Sequence, residues 1–107
     1  MSGSFGDMGN LLKQAQKMQA EIDRMESELA ETTLQGVAGG GAVRVTATGD
    51  GQVKNIDIAE EMLSTGDKSL IEQTVTAAVR DALGKAQDLK KDRYQRAMGG
   101  LNLPGMF

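Results

Sequence analysis

The side chains that most enzymes use for nucleophilic, redox or zinc chemistry are missing from this chain, whose 107 residues include no histidine, cysteine or tryptophan. Acyl-transfer triads, zinc centres and thiol chemistry therefore have no carriers. Asp50 and Asp57 could form an acid–base pair, but Asp50 sits in Gly49-Asp50-Gly51, where an Asp-Gly turn between two apolar runs already accounts for it. Catalysis is not expected. The cluster Gly36, Gly39, Gly40 and Gly41 offers backbone amides to a phosphate. It lacks both the GxGxxG spacing and a following Lys-Ser/Thr, and it leads into a strand, so it reads as a flexible joint. Glu60, Glu61 and Asp67 do not have calcium-loop spacing and read as solvated charges. No cofactor, metal or small-molecule substrate is expected.

Basic side chains are the remaining candidates. Between Lys85 and Arg96 five bases stand against two acids, a surplus of +3, whereas Glu21 to Glu31 holds five acids against Arg24, a surplus of -4. The distribution says more than the net charge of -3. On a helix Asp81 can pair with Lys85, Asp88 with Lys91 and Asp92 with Arg96. Lys90 and Arg93 share a face and have no acid three or four positions earlier. Lys13 and Lys17 share another face, and only Lys17 has a C-terminal acid, Glu21. If the helices that carry them lie antiparallel, Lys13, Lys17, Lys90 and Arg93 form one basic tip for phosphates, with Lys91 and Arg96 beside it and the acidic stretch elsewhere. An ordinary solvated helix face accounts for the same charges equally well.

Two long helices must position these residues. Met8, Leu11, Ala15, Met18, Ile22, Met25 and Leu29 recur at alternating steps of three and four, a heptad seam that needs a partner helix. Asp7 or Asn10 can cap this helix, which should run to about Thr32. Leu34 to Ala38 is short and apolar enough for a strand. Ala42 to Thr48 alternates cleanly, and Gln52 to Ile58 returns through the Asp-Gly turn with Val53 out of phase, the mark of a bulge. After a connection over residues 59–66, Asp67 or Ser69 caps a second helix. Its stripe runs from Leu70 to Leu89, and it could continue to Met98 before Gly99 and Gly100 stop it. A helix of that length is about 45 Å long against ~23 Å for the strands, so its end must project past the sheet.

At this length the chain is a single domain over residues 1–107, an α+β unit of a small antiparallel sheet and two long helices, with loose tails at 1–6 and 99–107. Aromatic residues make up only 3%, leaving little bulk for a core, and self-association is the natural remedy. Phe5 in the first tail is available to dock, and Leu101 to Phe107 should be mobile or tucked against a neighbour. No stretch approaches the ~18 apolar residues of a membrane span and the start is unlike a signal peptide, so a cytoplasmic protein is expected.

Four segments in order resemble the YbaB/EbfC family of bacterial nucleoid-associated proteins. They are Asn10-Leu-Leu-Lys-Gln-Ala-Gln-Lys-Met18, Val43-Arg-Val-Thr-Ala-Thr-Gly-Asp-Gly-Gln-Val-Lys-Asn-Ile-Asp-Ile58, Asp81-Ala-Leu-Gly-Lys-Ala86 and Gly99-Gly-Leu-Asn-Leu-Pro-Gly105. The resemblance implies an α-β-β-β-α subunit that dimerises through its sheet with paired helices projecting as arms. It also implies largely sequence-independent binding of duplex DNA on the nucleoid, with effects on gene expression. At Ala59-Glu60 many relatives have a proline, so the local turn is where this chain departs. A second function class remains open, a prefoldin-like holdase or scaffold in which Met8, Met18, Met25 and Met98 would adapt to apolar clients. Simple seam packing is the alternative account of these methionines, and it is the favoured one for Met18 and Met25.

Overall fold

The computed structural model describes the backbone of residues 2–100 and the side chains of residues 7–99. A long helix α1 (Ser2–Glu31) is followed by three strands, β1 (Thr33–Ala38), β2 (Val43–Thr48) and β3 (Val53–Ile58). A short helix α2 (Glu60–Ser64) then leads to a second long helix, α3 (Lys68–Gly100). The strands form an antiparallel meander in the order β1-β2-β3, which confirms the α-β-β-β-α expectation. Register between β2 and β3 shifts after Thr46, which faces Asn55, whereas Ala47 faces Val53. Lys54 is the extra residue of the bulge that the phase of Val53 foretold.

Alternation on β2 sends Val43, Val45 and Ala47 to one face, where they pack beneath Ala78 and Ala82 of α3 in a core with no exposed surface. Small residues on both sides draw helix and sheet together. The closest approach is at Gly36 of β1, where an added Cβ would lie 2.3 Å from the Ala82 nitrogen and 2.4 Å from the Ala78 oxygen. Only a glycine leaves room for the helix backbone there.

The hairpin between β2 and β3 is tied by its own turn and by α1. Thr48 accepts the Gln52 N–H on its hydroxyl and donates to Asp50, and Gly51 takes the left-handed φ of 91°. Gly49 donates its N–H to Leu29 and Thr32 carbonyls, fastening the turn to the end of α1. The expected flexible joint is a defined turn, since Gly39, Gly40 and Gly41 all adopt positive φ and the Ala42 N–H closes on the Gly39 carbonyl. At the start of α3 the Asp67 carboxylate accepts the Leu70 N–H at 3.0 Å, the expected cap. Ala59 has φ -63°, a value that proline shares, but it also donates its N–H to Ala42, a bond that a proline would lose.

Both helices outlast their expected ends. α1 already runs from Ser2, so residues 2–6 are helical rather than a loose tail, and α3 passes through Gly99 to Gly100. A glycine costs a helix only about 1 kcal/mol relative to alanine, too little to halt one already propagated over many turns. Leu101 to Phe107 and the Phe5 side chain, to which docking and mobility were assigned, lie outside the described residues. The described subunit measures 76 × 23 × 17 Å, because the sheet covers only the middle of α3 and both long helices run past it.

Candidate nucleic-acid interface

Past the sheet, the end of α3 meets α1. Met25 and Leu29 are buried at the base of this junction and Met18 and Ile22 are half-buried, so the heptad seam is satisfied from its C-terminal end upward. Tyr94 donates its hydroxyl to Glu26 at 2.9 Å, and Arg93 reaches Glu28 at 3.6 Å. The carboxylate that accepts the Tyr94 proton, with some desolvation, raises the phenol above its ordinary pKa. Beyond this clasp the helices separate and enclose a groove of about 500 Å³, lined among others by Gln14, Lys17, Met18, Arg93, Arg96 and Ala97. Further out, Met8, Leu11 and Leu12 are 60–63% exposed, so the outer half of α1 has no apolar partner among the described residues.

The six basic candidates fall at three levels of this arm. Lys17, Arg93 and Arg96 line the groove, Lys13 stands one turn further out, and Lys90 lies lower, 5.8 Å over the Tyr94 ring and beside the hairpin turn at Gly49, Asp50 and Gly51. Lys91 is exposed. The Tyr94–Glu26 and Arg93–Glu28 contacts set Lys90 level with the last turn of α1, so from there to Lys13 the bases span about 26 Å, at 1.5 Å per residue, rather than meeting at a point. Lys13, Lys17, Lys90 and Lys91 make no ion pair among the described residues, whereas Arg96 pairs with Asp92 at 3.2 Å as its spacing suggested. Arg93 differs from its expected independence. It lacks an acid on its own helix, but α3 crosses α1 at the acidic stretch and Glu28 supplies one. Glu21 turns to Arg24 rather than Lys17, which leaves Lys17 available to the groove. Such exposed pairs are worth only ~0–1 kcal/mol, little resistance to exchanging a carboxylate for a phosphate.

Sequence spacing did not reveal a second arrangement. Asp81 and Lys85 pair at 3.3 Å as expected, yet both also reach the free side of β1, where Asp81 accepts the Val37 N–H and Lys85 donates to the Gln35 carbonyl, each at 2.9 Å. The Val37 hydrogen bond, followed by Lys85, holds the Asp81 carboxyl below its ordinary pKa. A lone glycine inside a strand pattern was the available signal that a helix approaches β1 this closely. No group of three or more potential ligands that could hold a metal ion occurs among the described residues, and no described helix is long and apolar enough to cross a membrane.

Comparison with known proteins agrees with this architecture. A crystal structure of an uncharacterized protein from Helicobacter pylori superposes with a TM-score of 0.74, covering 89% of this chain and 97% of that one, at 24% identity, which supports the fold alone. A nucleoid-associated protein of Acetivibrio thermocellus is 42% identical over 106 residues, spanning 98% of this chain and 94% of the relative. Another, from Pelotomaculum thermopropionicum, is 40% identical over 102 residues, spanning 95% and 97%. The family model described as the YbaB/EbfC DNA-binding family matches residues 5–101. With nearly the whole of α1, the meander and α3 inside that match, the chain belongs to the YbaB/EbfC DNA-binding family.

Proposed function

We propose that two copies of this chain form a homodimer whose helical arms hold duplex DNA largely without regard to sequence, on the bacterial nucleoid in the cytoplasm, with consequences for DNA organisation and gene expression. Family membership supports DNA as the ligand. The observation that carries the mode of binding is the arrangement of Lys13, Lys17, Lys90 and Lys91 along one arm, exposed and free of ion pairs among the described residues. Arg93 and Arg96 join them on exchanging Glu28 and Asp92 for phosphate. Lysine and arginine on phosphates fix position but read no bases, so affinity should depend on salt more than on sequence. Tyr94 is committed to Glu26 and Lys90, and among the described residues no aromatic side chain lines the groove, which favours duplex over single strands.

One observation supports the holdase as a second reading. Met8, Leu11 and Leu12 form an exposed apolar stripe that unfolded chains could engage, whereas Met25 is buried in the seam. Neutralising Lys13, Lys17, Lys90 and Arg93 together separates the two. Loss of duplex retention in a gel-shift assay, with suppression of client aggregation unchanged, supports the DNA reading. Full retention by the neutralised variant refutes it.

A further inference from the structure

The outer half of α1 carries an apolar stripe that no other element covers among the described residues. Met8, Leu11, Leu12 and Ala15 follow the i, i+3, i+4, i+7 spacing of one helix face, and all four are exposed. At ~3.6 residues per turn Lys13 and Lys17 fall on the far side of the helix, so the stripe is separate from the bases assigned to phosphate. It needs an occupant of its own.

The end of α3 is aimed along this stripe. Tyr94 meets Glu26 and Arg93 meets Glu28, so α3 runs antiparallel to α1, and Gly100, six residues past Tyr94, stands level with about Ala20. From Ala20 to Met8 is twelve positions, about 18 Å of helix. The chain continues from Gly100 as Leu101-Asn-Leu-Pro-Gly-Met-Phe107, and seven residues span up to ~23 Å when extended, enough to pass the whole stripe. Pro104 biases Leu103 away from helix and toward extended backbone. Leu101, Leu103, Met106 and Phe107 are large and apolar, and none of the seven side chains is charged. A neutral segment tethered this close faces the stripe at an effective concentration on the order of millimolar, an advantage over any untethered partner.

We propose that residues 101–107 fold back along α1 of the same chain, with Leu101 toward Ala15, Leu103 on Leu11 and Leu12, and Met106 and Phe107 toward Met8. The tail is then a strap that completes the arm. It leaves Lys13 and Lys17 open on the opposite side, so strap and phosphate contacts coexist on one helix. Its existence does not rest on DNA being the ligand. It does occupy the stripe on which the holdase reading depends.

The test uses the full chain, which has no cysteine of its own. Isotope-labelled and unlabelled Leu12→Cys, Leu103→Cys protein are mixed, treated with a short bismaleimide and weighed by mass spectrometry. The links should join two cysteines of one chain. They should form roughly tenfold faster than when Asn10→Cys, on the far side of α1, replaces Leu12→Cys. Hydrogen exchange supplies a second reading without new thiols, on a chain whose α1 is native. Leu101→Asp with Leu103→Asp should speed amide exchange over residues 8–15 roughly tenfold and leave Val43 and Val45 in the sheet unchanged. Equal cross-linking from the two faces of α1, or exchange that the aspartates do not alter, overturns the strap. Links that join a labelled to an unlabelled chain overturn the same-chain assignment and give the stripe to the tail of a second copy.

Discussion

Replacing Gly36 by alanine measures how tightly α3 is seated on the sheet. The backbone at Gly36 lies outside the positive-φ region, so alanine meets no conformational penalty and the effect is steric alone. Its Cβ would stand 2.3 Å from one backbone atom of α3 and 2.4 Å from another, so the helix must retreat by roughly 1 Å to reach van der Waals contact. A gap of that size forfeits up to half of each dispersion contact between Ala78, Ala82 and the β2 valines, and it withdraws Asp81 and Lys85 from the edge of β1. Overpacking a core costs about 1–3 kcal/mol where side chains can yield, and here backbone faces backbone, so about 3 kcal/mol or more is expected. For a domain of this size that lowers Tm by roughly 12–24 °C. Gly84→Ala is the control. It sits in the same helix with nothing within 4 Å of the new Cβ, and should gain about 1 kcal/mol from helix propensity. Thermal and urea unfolding followed by circular dichroism read both. A Gly36→Ala protein as stable as wild type to within 1 kcal/mol would refute the close seat of α3.

Other outcomes follow from the same contacts. Val45→Ala, which empties part of a site with no exposed surface, should cost about 2–3 kcal/mol in urea unfolding. Asp81 titrates below its ordinary value in the folded chain, so its contribution is present above about pH 4 and is lost as pH falls through the lowered folded pKa. Asp81→Asn should therefore flatten the acid limb of stability against pH and leave the alkaline limb unchanged. Tyr94 titrates above its ordinary value, and its contribution is complete below pH 10 and lost as pH rises through the raised pKa. Tyr94→Phe should remove that alkaline loss, read by unfolding between pH 9 and 11.

What the sequence disclosed depended on how local each signal was. Alternation on Val43, Val45 and Ala47, the Asp-Gly turn, the bulge at Lys54 and the Asp67 cap are written within a few residues of where they act, and each was legible. Arg93 was not, because its acid, Glu28, comes from a helix 65 positions away in sequence, which spacing on one helix cannot report. Asp81 and Lys85 were legible as a helix pair but not as partners of β1, since that role depends on the depth of contact at Gly36. The heptad seam of α1 was read as continuous, and only its C-terminal part finds a partner within the subunit, at Met25 and Leu29. Met8 and Leu11 obey the same pattern but lie beyond the groove where α3 meets α1.

The central claim is that bases along the arms grip phosphates, and the most direct measurement is duplex affinity at a series of salt concentrations. If all six basic candidates neutralise phosphates, log K should fall against log salt with a slope of about -5, equally for unrelated sequences, and each lysine removed should reduce it by about 1. An affinity that stays flat across the salt series would contradict the account.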